Sequence, residues 1–223
     1  GADGFRLDCG GCGQVPNWRP RTSLHANGGM LAGGVEQNRL IRQAIREINP
    51  DAVLLPEAGA PAHFTSGDMV FDYPLYMVCR EMTREPDRAA WVARLREFLT
   101  AQQMTHAPGA VDALVRFTEN HDTVAAAEFF GLGPSQALTA LQAFLPGVLL
   151  LYQEQEIGLG PELRRWLKLR HELPELRAGA ADYERVTCDD PCVLAFTREL
   201  DGQASVVAAN FGDGPAQCRF ALP

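Results

Sequence analysis

Apolar residues along the chain follow two alternating rhythms. Short, nearly unbroken runs read as buried strands: Ala52-Val53-Leu54-Leu55, Met69-Val70-Phe71, Leu114-Val115-Arg116-Phe117 and Gly147 through Tyr152. Between them, apolar residues recur every three or four positions. Leu40, Ile41, Ala44, Ile45 and Ile48 mark one face of a helix over Glu36–Ile48, which Pro50 stops. A second helix is predicted over Arg88–Gln103, introduced by Pro86 and Asp87, and a third region over Thr123–Phe144, interrupted between Gly131 and Pro134. A last helix begins at Pro161 and runs to Arg170. At the front, Gly4-Phe5-Arg6-Leu7-Asp8 reads as the end of a strand, followed by a Gly-, Pro- and Asn-rich loop to about Gly34.

Strands alternating with helices imply parallel strands joined by helical crossovers, an α/β architecture. After Pro174 the texture changes. Glu184–Thr187, Val193–Thr197, Ser205–Ala209 and Cys218–Leu222 are short β-type runs separated by turn residues such as Asp201-Gly202. With no helical pattern between them, they predict a small antiparallel sheet.

Composition narrows the partners. The net charge is −8, the only lysine is Lys168, and the arginines are spread along helices, so clustered phosphate-binding charge is missing and nucleic acid is not expected. No apolar run approaches the ~20 residues that span a bilayer, so no membrane partner is expected either. The chain opens without methionine in what reads as the middle of a strand, so an N-terminal part of the same protein is expected ahead of it. Cys9, Cys12, Cys79, Cys188, Cys192 and Cys218 are scattered, as in a reducing compartment such as the cytoplasm. Cys9 and Cys12 form a lone C-x-x-C, open as a redox pair or half a metal site, but no second pair at zinc spacing completes it.

The chemistry-bearing residues stand where strands stop. Asp8 follows Phe5-Arg6-Leu7, Glu57 follows Val53-Leu54-Leu55-Pro56, and Asn120-His121-Asp122 lie just beyond Val115-Arg116-Phe117. In a closed parallel barrel those ends converge on one face. Two converging carboxylates are what a retaining glycosidase requires, one as nucleophile and one as general acid/base. Arg6 falls on the same side of its strand as Asp8 and favours its ionised form, whereas the apolar lead-in to Glu57 suits a carboxyl that holds a proton. His121 and Asp122 could grip sugar hydroxyls. Each residue also has a plainer reading: Asp122 as a helix N-cap before Thr123, Glu57 as a solvated loop residue, Arg6 with Asp8 as a structural ion pair.

These segments resemble the α-amylase family of glycoside hydrolases. Gly4-Phe5-Arg6-Leu7-Asp8 is similar to the fourth-strand motif carrying the nucleophile, Leu54-Leu55-Pro56-Glu57 to the fifth-strand acid/base segment, and Phe117-Thr118-Glu119-Asn120-His121-Asp122 to the seventh-strand motif with the transition-state stabiliser. Leu145–Gly158 is similar to the eighth-strand segment. The resemblance implies strands four to eight of a (β/α)8 TIM barrel over residues 1–176 and a C-terminal antiparallel β-sandwich over 177–223. It also implies catalytic Asp8, Glu57 and Asp122, with Arg6, Asn120, His121 and Cys12 toward the substrate. Trp18, in the loop from Cys9 to Gly34, either stacks on a sugar face or only pins the loop. The implied substrate is an α-linked oligosaccharide or glucan, cleaved or transferred by a retaining mechanism that needs no organic cofactor. No metal is expected in this chain.

Three positions depart from the family pattern. Cys12 stands where histidine is frequent, Leu149 replaces a proline, and Glu154 replaces a glycine. A non-catalytic scaffold or carbohydrate-binding member of the same fold is the competing expectation.

Overall fold

The computed structural model describes residues 3–11 and 34–221. They divide into two compact units, residues 1–73 with 113–115 and residues 74–112 with 116–223.

In the first unit, β1 (Gly4–Leu7) pairs in parallel with β2 (Val53–Pro56), Gly4 opposite Val53 and Leu7 opposite Pro56. Helix α1 (Val35–Ile48) precedes β2. Asp68 locks the two together: its carboxylate accepts from Arg46 Nη2 at 2.7 Å, from Arg42, and from the Leu54 amide at 2.8 Å. The start of α1 is tied to the turn after β1, because buried Asn38 donates from Nδ2 to the Gly10 carbonyl at 2.9 Å. Gly34 must be glycine there, since its φ is +75° and a Cβ would sit 2.3 Å from that carbonyl oxygen. The expected apolar face of α1 is only partly covered: Leu40 and Ile48 are 53% and 89% exposed. Next, β3 (Val70–Phe71) pairs in parallel with the first two residues of β4 (Leu114–Arg116), Val70 opposite Leu114. The Phe71 amide also donates to Ala58 O at 3.0 Å, joining β3 to the chain leaving β2. Leu54, Ala58, Val70, Phe71, Leu114 and Val115 are among the buried apolar residues of this unit.

The second unit is helical at its start and β at its end. Helix α2 (Tyr73–Glu81) enters it, and α3 (Arg88–Thr105) follows, capped by Asp87, whose side chain accepts from the Ala90 amide at 3.1 Å. Trp91, Val92, Leu95 and Leu99 bury one side of α3. Then come α4 (Ala126–Phe130), α5 (Leu132–Phe144), the short β5 (Val148–Leu149), α6 (Gln155–Glu172) and α7 (Pro174–Ala178). The tail forms an antiparallel sheet ordered β6 (Ala180–Asp182), β8 (Val193–Leu200), β9 (Gln203–Asn210). Beside it runs a two-stranded ribbon of β7 (Thr187–Cys188) with β10 (Phe220–Ala221). Asp201 (φ 51°) and Gly202 (φ 80°) make the β8–β9 hairpin turn, the twist-compatible geometry that Asp-Gly favours.

One core spans helices and sheet in this unit. Trp91 packs edge-on against Phe211 with ring centroids 4.9 Å apart, and its indole N–H donates to Val78 O at 2.9 Å. Leu95, Leu138, Leu141, Leu176, Leu194 and Phe196 fill the same cluster. Buried arginines satisfy carbonyls inside it. Arg116 donates to Pro146 O and Gln102 Oε1, each at 2.8 Å, and fully buried Arg198 donates to Gly179 O at 2.7 Å and to Phe144 O.

Candidate active site

The register of β1 and β2 brings the first two acids together. Leu7 and Pro56 are the last paired residues, so Asp8 and Glu57 leave neighbouring parallel strands side by side at their C-terminal ends. Arg6 bridges them: Nη1 lies 2.6 Å from Asp8 Oδ1 and Nη2 2.8 Å from Glu57 Oε1. A carboxylate oxygen of Asp8, one of Glu57 and the sulfur of Cys9 all lie within 4.8 Å of one another. The two carboxylates differ in exposure, Asp8 at 76% and Glu57 at 15% of the side chain.

The backbone after β1 serves Glu57. Cys9, in a left-handed conformation at φ 48°, points its amide at Glu57 Oε2, 2.7 Å away. The Gly11 amide donates to the Glu57 carbonyl at 3.0 Å, and the Glu57 amide to Leu7 O at 2.9 Å. Both carboxylate oxygens of Glu57 therefore accept a hydrogen bond. Sequence reasoning places Arg6 beside Asp8, but it misses the Arg6 bond to Glu57 and the Cys9 amide, because both depend on strand register.

Asn120, His121 and Asp122 lie in the second unit, in a tight turn after β4. The Asp122 amide donates to Asn120 Oδ1 at 2.9 Å, and the Asn120 amide to Thr123 Oγ1 at 2.8 Å. Asn120 is buried, while His121 Nε2 and Asp122 Oδ2 stand 3.4 Å apart on half-exposed side chains. Asp122 is not a helix cap: α4 starts at Ala126, whose amide is taken by buried Glu119. That role of Glu119, like that of Gln155, is not read from the sequence. Gln155 donates to Thr118 Oγ1 at 2.7 Å and accepts from the Tyr152 amide at 3.1 Å, fixing the turn after β5 to the end of β4. A cavity of about 330 Å³ is lined by Glu119, Asn120, Thr123, Tyr152, Gln153 and Glu154, among others. Glu154 has φ 74°, the left-handed geometry that glycine favours. Cys12 and Trp18 lie outside the described residues.

The fold resembles solved structures of the α-amylase family. Over its whole length the chain superposes on 55% of the cyclic α-maltosyl-(1→6)-maltose hydrolase of Arthrobacter globiformis, solved with cyclic α-maltosyl-(1→6)-maltose, at TM-score 0.71 and 16% identity. It superposes over 92% of its length on 51% of an α-amylase from Lactobacillus plantarum, at TM-score 0.68 and 18% identity. Over 79% of its length it matches 45% of a noncanonic maltogenic α-amylase from Thermotoga neapolitana, at TM-score 0.66 and 18% identity. The chain thus spans about half the length of these structures. No family model matches the sequence, and neither does any curated protein.

Proposed function

We propose that the protein carrying this chain is a retaining α-glycosidase that acts on α-glucosidic bonds of oligosaccharides or glucans, by hydrolysis or by transfer. The single observation that carries the reading is the pair of carboxylates beyond β1 and β2, with oxygens within 4.8 Å and Arg6 between them. That spacing suits the retaining class, whose carboxyls stand ~5–5.5 Å apart, better than the ~6.5–9.5 Å that leaves room for an inverting water. The fold likeness to α-glucan hydrolases supports the substrate class.

In this reading Asp8, exposed and paired with Arg6, attacks the anomeric carbon. Glu57 gives its proton to the departing glycosidic oxygen, leaving a glycosyl ester on Asp8. Glu57 then takes a proton from water or an acceptor hydroxyl, which displaces Asp8 and restores both groups. Asp122 is assigned the third role, stabilising positive charge on the flattened ring, on the strength of its sequence motif. Asn120 and His121 are assigned to sugar hydroxyls, and Cys12 and Trp18 to the acceptor side. The frame for this chemistry is proposed as the later strands of a (β/α)8 barrel over residues 1–176, completed by an N-terminal part of the same protein, with a β-sandwich over 177–223.

A second reading has one specific observation behind it. Both Glu57 oxygens already accept, one from Arg6 and one from the Cys9 amide, an arrangement that also serves a carboxylate with a purely structural task. A non-catalytic, carbohydrate-binding member of the fold asks no more of it.

Turnover of 4-nitrophenyl α-glucoside and short malto-oligosaccharides by the intact protein, beside Asp8→Asn and Glu57→Gln, separates the two. The enzyme reading expects turnover in the parent and a loss of about 10³-fold or more in each variant. Saccharide binding without turnover in the parent would establish the second reading. Turnover unchanged in either variant would remove that residue from its assigned role.

A further inference from the structure

Two cysteines far apart in sequence meet in the tail. The ribbon pairs Phe220 with Cys188 and Ala221 with Thr187, antiparallel. Cys218 lies two residues ahead of Phe220, and the chain entering the ribbon brings its sulfur back to that of Cys188. Between them stands Asp189, whose Oδ1 accepts from the Arg219 amide at 2.9 Å. The sulfurs of Cys188 and Cys218 and a carboxylate oxygen of Asp189 lie within 4.8 Å of one another. Both cysteines are free and half-buried, and Asp189 is exposed, so an ion has a path from solvent.

We propose that Cys188, Asp189 and Cys218 form a binding site for a soft divalent cation of the zinc type. Two sulfurs exclude magnesium and calcium as the preferred ions, since those take oxygen ligands, and thiolates select zinc-like ones. Zinc–sulfur bonds of ~2.3 Å and zinc–oxygen bonds of ~2.0–2.2 Å place tetrahedral ligand atoms roughly 3.5 Å apart, so from separations within 4.8 Å the three groups need close by no more than about 1.3 Å. The Arg219 amide orients the carboxylate, the supporting contact that metal ligands ordinarily have. Binding releases two thiol protons per ion to solvent and leaves a fourth position for water. The site is invisible to a search for close cysteine spacing, because the strand ladder and not the local sequence brings the two sulfurs together.

The test titrates the whole chain with Co²⁺ and then Zn²⁺, after chelation and under reductant. The readouts are the near-ultraviolet thiolate-to-cobalt band and the visible bands of tetrahedral cobalt. One ion per chain is expected, with the band abolished in the Cys188→Ser/Cys218→Ser double variant. Asp189→Asn is expected to weaken binding by about 10-fold or more. This exposed position keeps the test valid should the double variant fail to fold. Cys9→Ser with Cys12→Ser is expected to leave the band unchanged. The proposal is overturned by the absence of a thiolate band at saturating cobalt, by a band that survives the double variant, or by one that disappears with Cys9 and Cys12. It is equally overturned if Asp189→Asn binds as tightly as the parent, or if the reduced pair takes up no ion and only loses two hydrogens in air to become a disulfide.

Discussion

Arginine forks organise this protein at the scale of single residues. Arg6 spreads its two terminal nitrogens over Asp8 and Glu57, which a lysine ammonium, a point charge, does not do in the same geometry. At the start of α1, Arg39 grips Glu36 with both Nε (2.9 Å) and Nη2 (2.6 Å), and this hydrogen-bonded pair holds the Glu36 carboxyl below its ordinary value of 4.5. A carboxyl depressed in the folded state adds stability that is fully present above its unfolded value and is lost as pH falls through the folded one. An NMR titration is therefore expected to find Glu36 titrating below 4.5, and Arg39→Gln to return it toward that value. An unchanged Glu36 in the variant would refute the cause. Pairs spaced along one helix or strand, such as Arg39 with Glu36 and Arg6 with Asp8, are legible from spacing alone. The Arg6 bond to Glu57 is not, because it requires knowing that Leu7 stands opposite Pro56.

Among the elements, the turn into α6 carries a departure with a measurable cost. Glu154 occupies a left-handed position at φ 74°, where a Cβ is unfavourable. Glu154→Gly is expected to stabilise the protein by about 1 kcal/mol, the relief of strain being partly offset by glycine's freedom in the unfolded chain. Urea unfolding measures it, and a lower midpoint would show that the Glu154 side chain holds the turn by contacts of its own. The strongly periodic α1, the Pro86-Asp87 entry to α3 and the hairpin signal at Asp201-Gly202 could be read directly from sequence. Helix α2 was hidden by Pro74, although Leu75, Tyr76 and Cys79 are buried at helical spacing. The apolar run from Gly147 to Tyr152 promised a full strand, yet only Val148–Leu149 is one. Ala180–Asp182, by contrast, becomes a strand through pairing with Thr197–Glu199, not through any β preference of its own residues. Helix α6 begins at Gln155, ahead of the expected Pro161, because the break at Gly160 (φ 53°, ψ −134°) separates a first turn from the periodic part.

At the scale of the whole molecule, the sheet at the end of the chain acts as a helix cap. Phe144 O at the end of α5 and Gly179 O beyond α7 both rest on Arg198 of β8, whose burial lowers its pKa to about 10. Removing that guanidinium strands two buried carbonyls. Arg198→Ala is expected to cost about 2–3 kcal/mol, read from the urea midpoint, and a change under ~0.5 kcal/mol would mean that water replaces it. Leu176, on one side of the proposed boundary, packs in the same core as Leu194 and Phe196 on the other. A charge lent by the last third of the chain to a helix in its middle also has a kinetic meaning. Phe144 O at the end of α5 gains the Arg198 guanidinium only when β8 is in place, so the two should melt as one cooperative transition. A protease that gains entry at the tail would then be met by helices that have already let go.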